Sequence, residues 1–272
     1  MLNTIVRTGQ VLELFSRERP EWGVTEIAQT LGVPKSNAHE LLSSLASIDL
    51  LRRTSRSRYR LGWRIMSMAN SVVEAGILRK HALSAMEKLS QHTGETSHLA
   101  IWDGRHLVFM ARVLTDRGVH QGHARAGCTL PGYCTASGKV LLADLPWPEV
   151  VDRVSREEFN ARTPSTITDL VVLRRQLQDV KNRGVGYNVE EADPGVCGLA
   201  SPVVGADGRA IAALGVSVTS ERFTDFRERY ERLLVRSARE LSAKVAADHG
   251  PGQGGPGPGP RRPLPPALSA SA

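Results

Sequence analysis

The 272-residue chain is short of cysteine, lysine and aromatic residues and contains no long apolar run. Cys128, Cys134 and Cys197 are too few, and odd in number, for a disulfide framework, which points to a reducing compartment. No stretch approaches the roughly 18 consecutive apolar residues that cross a bilayer, so no membrane partner is expected. The opening "MLNTIVRTGQVLELF" lacks an apolar segment followed by a small-residue cleavage site and does not read as a secretion signal. A cytoplasmic protein is expected. Only six lysines stand against 29 arginines, with a formal net charge of +7. That charge suits a polyanionic partner, but an arginine excess of this kind also follows from GC-rich coding, so its position is what informs. "RRTSRSRYR" (52–60) carries five arginines in nine residues, where the average density would put about one.

What the chain does contain divides into segments. Ile5, Val11, Leu12, Leu14 and Phe15 recur in helical fashion. "TEIAQTLGVPKSNAHELLSSLASIDLL" (25–51) then packs two helices around one glycine. Ala28 is small enough for a close helix crossing, Ile27 and Leu31 bury beside it, and Gly32 suits a left-handed turn. Pro34 fits a first helical turn. Ala38, Leu41, Leu42 and Leu45 recur at i, i+3, i+4 and i+7, which defines one buried face. The opposite face holds Lys35, Ser36, Asn37, His39, Glu40, Ser43 and Ser44.

The first residues of such a helix reach base edges in a major groove, while hydroxyls and lysine hold phosphates. Asn37 is placed to read adenine and Glu40 to accept from cytosine. Lys35 and Ser36 suit phosphates, and Thr25, His39 and Ser43 complete the expected contact surface. Leu51, Tyr59 and Leu61 flank the arginine-rich tip of a hairpin, whose Arg52, Arg53, Arg56 and Arg58 would touch backbone or minor groove. A solvated helix in an ordinary bundle would show the same stripe, but not the arginine hairpin. The expectation is a winged helix-turn-helix over residues 1–62 with double-stranded DNA as partner.

Residues 63–93 are helical again: a linker helix over 63–77, then a stripe of Ile77 or Leu78, Ala82, Met86 and Leu89, stopped at Gly94. "TSHLAIW" with "HLVFMARV", and "VCGLASPVV" with "AIAALGVSV", read as hairpins. "ASGKVLLADL", "DLVVLRRQLQDVKNRG" and the amphipathic segment carrying Phe226, Tyr230, Leu233, Leu234 and Leu241 read as helices. Strand pairs mixed with helices argue for an α+β domain over 78–248 with a central antiparallel sheet. The glycine- and proline-rich 249–272 cannot bury a core and is expected to be disordered; a short proline-rich ligand is the functional alternative.

Two chemical alternatives stand beside this reading. Cys197 with His98, His120 or His123 would make a nucleophile–base pair, though no flanking signature positions them. "HQGH" (120–123) with Cys128 and Cys134 offers soft metal ligands, but the H-x2-H-x4-C-x5-C spacing matches no common zinc framework. A metal- or thiol-responsive regulator and, behind it, a cysteine-nucleophile enzyme therefore stand as alternatives. The expectation is no catalytic site, no cofactor and no metal. A DNA-binding structural protein without an effector would not need so large a second domain.

Four blocks in order, "TEIAQTLGVPKSNAHELLSSL", "YRLGWRIMSMA", "LPGYCTASGKVLLADLP" and "RGVGYNVEEADPGVCGLASPVVGADGRAIAALGVSV", resemble the IclR family of bacterial transcriptional regulators from about Val6 to Val245. The resemblance implies a winged helix, a linker helix and a GAF-like effector domain. It also implies dimers, sometimes paired into tetramers, on palindromic operators, with repression the more frequent outcome. The implied effector is a small organic acid or aromatic metabolite. Its pocket would draw on Leu130, Tyr133, Thr135, Ala136, Ser137 and Gly138, on Glu190, Glu191, Cys197 and Gly198, and on Ser217. Free N–H groups at the start of the "ASGK" helix would suit a carboxylate, although the residues alone favour a plain helix start with a small-residue packing face. Relatives that bind very small keto acids tend to carry a cysteine and a serine where this chain has Gly198 and Gly215. Those departures point to a roomier or less polar pocket and to a larger effector, aromatic by preference.

Overall fold

The computed structural model describes residues 2–16, 18–74, 77–103, 106–119, 127–157 and 159–248; His120, His123 and the 249–272 tail lie outside them. The backbone divides into two compact units, Met1–Gly76 and Ile77–Ala272.

The first unit contains α1 (Asn3–Glu13), α2 (Val24–Leu31), α3 (Lys35–Ser47), the hairpin β1 (Leu51–Arg53) and β2 (Tyr59–Leu61), and α4 (Trp63–Glu74). The Glu26 carboxylate accepts the Gly23 N–H at 2.7 Å and so satisfies one orphan donor at the start of α2. Gly32 ends that helix at φ 63°, a conformation that costs a Cβ-bearing residue about 1–2 kcal/mol. Pro34, at φ −55° and ψ 144°, caps α3 rather than entering its first turn. Ala38, Leu42 and Leu45 bury against Val11, Ile27, Ala28, Leu51 and Tyr59, with Leu41 only partly covered. Tyr59 exchanges backbone hydrogen bonds with Trp22 at 2.8 and 3.0 Å, and Trp22 Nε1 donates to the Leu14 carbonyl at 2.8 Å. The hairpin is thereby fastened to the chain between α1 and α2.

The second unit opens with α5 (Ile77–Thr93), β3 (Thr96–Trp102), β4 (Leu107–Val113) and β5 (Thr129–Leu130). A 3-10 turn over Gly132–Cys134 leads into α6 (Ala136–Ala143), α7 (Trp147–Arg156) and α8 (Leu170–Arg183). It closes with β6 (Gly186–Val189), β7 (Val196–Val204), β8 (Ala210–Thr219) and α9 (Ser220–Asp248). Its six strands run antiparallel in the order β5-β4-β3-β8-β7-β6. The molecule is α+β: a winged helix-turn-helix followed by a domain built on an antiparallel sheet.

Strand alternation gives the sheet two unlike faces. Leu99, Cys197, Leu199, Leu214 and Val216 pack under α5 and α9. Ala100, Ala200 and Ala213 pack against Ala136, Val140 and Leu141 of α6. Behind α6, Leu142 joins Tyr133, Val150, Val154, Leu173 and Leu177, so residues 136–142 are all buried. Helix α7, for which no element was expected, buries Val150 and Val154 there.

Candidate nucleic-acid interface and buried polar site

On α3, Lys35, Ser36, Asn37, His39, Glu40 and Ser44 are exposed and Ser43 is half-buried; Thr25, on α2, is exposed. Ser36 Oγ lies 3.5 Å from Asn37 Oδ1. In the hairpin Arg52, Arg53 and Arg56 are exposed, with the Arg52 guanidinium 5.5 Å from the Trp63 ring centre. Arg58 differs. It donates to Glu26 Oε2 at 2.6 Å and to the Glu21 carbonyl at 3.2 Å. Arg19 meets the other Glu26 oxygen at 2.9 Å. The Gly23 N–H, with Arg58 and Arg19 beside it, holds the Glu26 carboxyl below its usual range. Arg58 is therefore a bracket between hairpin and helix. A DNA contact by Arg58, expected beside those of Arg52, Arg53 and Arg56, would compete with this internal carboxylate. Neither Glu21 nor Glu26 carries a signal in the sequence that marks it for this role.

The second unit gathers polar groups inside. Thr135 Oγ1 accepts the Gly138 N–H at 3.1 Å and caps α6. A Cβ on Gly138 would lie 2.3 Å from the Gly132 backbone, so this close approach requires glycine. Ser137 Oγ stands 3.0 Å from His98 Nε2, and His98 Nδ1 lies 3.4 Å from Ser217 Oγ; all three residues are buried. The Phe109 ring meets the imidazole edge-on at 5.2 Å. Burial, reinforced by the charge of Arg112, pulls His98 down to about 3, so the ring is neutral at pH 7, with one donor and one acceptor nitrogen.

Gly215 pairs with His98 across the strands, and a Cβ on it would sit 2.3 Å from Nε2. The expected roomier, less polar pocket is corrected at this position, because the imidazole fills the room that glycine leaves. At Gly198 a Cβ would meet only ordinary contacts, Ala136 Cβ at 3.6 Å and Asn188 Cβ at 3.7 Å.

The adjacent carboxylates diverge. Glu191 pairs with buried Lys139 at 2.5 Å, and Lys139 also donates to the Tyr187 carbonyl at 3.1 Å. Desolvation lowers the Lys139 pKa, and the Glu191 charge opposes that shift. Glu190, at φ 57°, accepts from Ser220 Oγ at 2.7 Å and from the Gly195 N–H at 2.9 Å. It is thus tied to the start of α9.

Cys197 faces the α5/α9 side, with Sγ 3.6 Å from Ser220 Oγ. Tyr133 lies in the cluster behind α6, its hydroxyl donating to the Asn160 carbonyl at 2.8 Å. The expected pocket list is therefore split. Ser137, Ser217, Gly198, Ala136 and Leu130 belong with the α6 side of the sheet. Thr135 and Gly138 shape the start of α6, and Glu191 braces it from Lys139. Glu190, Cys197 and Tyr133 stand elsewhere.

Because Cys197 and His98 occupy opposite faces of the sheet, they form no nucleophile–base pair. Burial pushes the Cys197 thiol up and the Cys134 thiol up to about 12, which makes both poor thiolates at neutral pH. Among the described residues no group of three or more His, Cys, Asp or Glu could hold a metal, and no helix is long and apolar enough to cross a membrane. From the residues alone His98 reads only as a base for Cys197, and Lys139 carries no expectation. A lysine inside the apolar run "ASGKVLLA" was the available signal, since a lysine is almost never fully buried without a partner.

Comparison with known proteins covers both units. Residues 4–55 match the IclR helix-turn-helix domain, and residues 70–243 match the C-terminal domain of the bacterial transcriptional regulator IclR. The HTH-type transcriptional regulator XynR of Escherichia coli K12 is 30% identical over 247 residues, 89% of this chain and 98% of that protein. The crystal structure of an IclR transcriptional regulator from Alicyclobacillus acidocaldarius superposes with TM-score 0.76 at 26% identity, covering 90% of this chain and 99% of that one. An IclR homologue from Microbacterium hydrocarbonoxydans, crystallised in complex with 4-hydroxybenzoate, superposes with TM-score 0.75 at 27% identity, covering 90% and 99% of the two chains.

Proposed function

The chain belongs to the IclR family of bacterial transcriptional regulators, and from that membership we propose that two copies read a palindromic operator while the second unit of each senses a small carboxylate. The protein is a DNA-binding regulator, not an enzyme. The observation that carries the operator reading is the exposed edge Lys35–Glu40 standing opposite buried Ala38, Leu42 and Leu45. Asn37 and Glu40 address bases, and Lys35, Ser36, His39, Ser43 and Thr25 address the backbone around them. Arg52, Arg53 and Arg56 of the hairpin supply charge to the flanking phosphates or minor groove.

The proposed division of labour is 1–62 for DNA, 63–77 as connector and 78–248 for effector and assembly. Trp63, Met66 and Met68 on α4 are 72%, 59% and 54% exposed. Such apolar exposure supports a second copy as partner, with paired dimers as the higher assembly. Two half-sites must match recognition helices about 34 Å apart or a multiple of that spacing, so an effector that alters the spacing releases the operator and relieves repression. The α6 face with Ser137 and Ser217 is the proposed effector site, and the Microbacterium homologue's 4-hydroxybenzoate supports an aromatic acid there. The cytoplasm, where operators reside, is the proposed location.

Footprinting on the DNA upstream of the protein's own gene, with and without 4-hydroxybenzoate and related acids, tests this reading. Protection of two half-sites on one duplex face, lost when an acid is added, is expected. Absence of salt-sensitive binding to any duplex removes the operator reading.

A further inference from the structure

We propose that the arginine-lined groove between the end of α8 and the outer side of α9 binds a chain of linked phosphates, free or carried by a nucleotide. Helix α9 covers the sheet face opposite α6, so this site stands apart from the effector reading.

The groove holds about 450 Å³, within the range of small-molecule sites. Arg183 enters it from the last turn of α8, and Arg232, Arg236 and Arg239 enter from successive turns of α9. All four are exposed, with half-buried Val235 among them. The two carboxylates on the walls already have partners. Glu231 accepts from the Tyr187 hydroxyl at 2.5 Å, and Glu240 accepts from Arg236 Nε at 2.9 Å. Arg232 has only a loose partner, Glu228 at 4.0 Å, on side chains 73% and 83% exposed. Arg183 and Arg239 form no ion pair among the described residues. Of the four guanidinium groups, one is closely paired.

A solvated helix face also shows pairs at i, i+4, as between Arg236 and Glu240. It does not bring a further arginine from another helix into the same recess. Like charges gathered in this way repel one another, and salt weakens that repulsion without removing it at close range. A multivalent anion turns the repulsion into attraction.

The kind of anion follows from shape. Guanidinium forks match phosphate oxygens two at a time. Arg232 and Arg239 are separated by about 10 Å along the helix axis. A single phosphate is shorter than that row, whereas a phosphate chain runs along it. Val235 alone offers too little apolar floor for a hydrocarbon body, and a DNA duplex is too broad to enter the recess. Each exposed contact is weak by itself, so affinity depends on how many phosphates are linked and falls as salt rises.

Isothermal titration of the full-length protein with tripolyphosphate, ATP, orthophosphate and sulfate, at matched ionic strength and without divalent cations, tests the assignment. The wild type is expected to bind tripolyphosphate or ATP at least tenfold more tightly than orthophosphate or sulfate. Equal affinity for tripolyphosphate and ATP assigns the phosphate chain alone, and tighter ATP binding assigns a nucleotide; both support the groove. The variant R183Q/R239Q, which alters exposed side chains only, is expected to lose tenfold or more of that affinity. Its unfolding midpoint and its affinity for duplex DNA are expected to stay unchanged. The variant R53A/R56A, which removes hairpin cations, is expected to keep the tripolyphosphate affinity. Equal binding by wild type and R183Q/R239Q, a loss confined to R53A/R56A, equal affinity for tripolyphosphate and sulfate, or no binding by the wild type overturns the proposal. A loss of duplex affinity in R183Q/R239Q as large as its loss for tripolyphosphate gives these arginines to DNA and overturns it too. None of these failures touches the operator or effector readings, which footprinting decides.

Discussion

In the first unit the polar residues of α3 stand in solvent, on a helix whose other side is fixed by Ala38, Leu42 and Leu45. In the second unit Ser137, His98, Lys139, Glu191 and Ser217 lie inside the protein, between α6 and what it packs on. An exposed reading surface leaves its side chains solvated until DNA arrives, so removing one of them costs binding and little stability. A buried site must satisfy its polar groups before any ligand comes, because an unpaired buried charge is expensive. Function and stability are thus separable in the first unit and entangled in the second.

The most severe test of that contrast is Glu191→Ala. It strands the Lys139 ammonium in the core and is expected to cost about 3–5 kcal/mol in urea unfolding. Replacing Lys139 by Met and Glu191 by Leu together is expected to recover most of the loss; equal damage from the single and double changes would show that packing, not charge, is at stake. Next comes Asn37→Ala, expected to weaken operator binding by about 1–3 kcal/mol and relax preference at one position, with the unfolding midpoint unmoved. Equal losses on operator and random DNA would remove Asn37 from base reading.

A smaller effect lies in pH. His98 is held at about 3 in the folded chain against an ordinary 6.5, so over that interval the unfolded state binds the extra proton and stability falls as pH falls, by at most about 1.4 kcal/mol per pH unit. Glu157, pushed up to about 7 by burial, gives the opposite slope: from about 4.5 to 7 the folded state keeps the proton and stability falls as pH rises. The difference between wild type and H98Q isolates the histidine, and it is expected to shrink steadily on acidification below pH 6.5. Parallel curves would mean that the imidazole titrates alike in both states. Smallest is the arginine pair. Arg56→Ala is expected to lower the salt slope of DNA binding by about 1. Arg58→Ala is expected to leave that slope unchanged while costing under about 1 kcal/mol of stability, as its half-exposed ion pair warrants. An equal drop in slope for both would return Arg58 to the DNA.

The same contrast explains what could be read from residues alone. The helix-turn-helix was legible because its contacts are local: Gly32, the leucine spacing and the arginine hairpin follow one another within one stretch of chain. Both strand hairpins and α6, α8 and α9 were legible from period and turn residues. The buried site was not, because its partners come from distant segments; Ser137 meets His98, and Lys139 meets Glu191, only once the sheet has formed. Cys197 and Gly198 show the limit most sharply. A shift of one residue along a strand moves a side chain to the other face, and only the pairing of Gly198 with Ser217 and of Cys197 with Val218 decides which of the two belongs to the α6 side. Gly215 reads in the sequence as a lost polar group because nothing in its own neighbourhood announces an imidazole arriving from the adjacent strand.

Glu26 has a bearing on how operator choice can change. One carboxylate meets the N–H of Gly23, the guanidinium of Arg19 and that of Arg58, so the start of α2 and the arginine hairpin share one tie. That tie helps set the offset between the exposed edge of α3 and the basic tip. On the proposed operator reading, evolution or engineering can change the bases α3 addresses without re-aiming the tip, whereas a new distance between the two features on the duplex calls for rebuilding this tie.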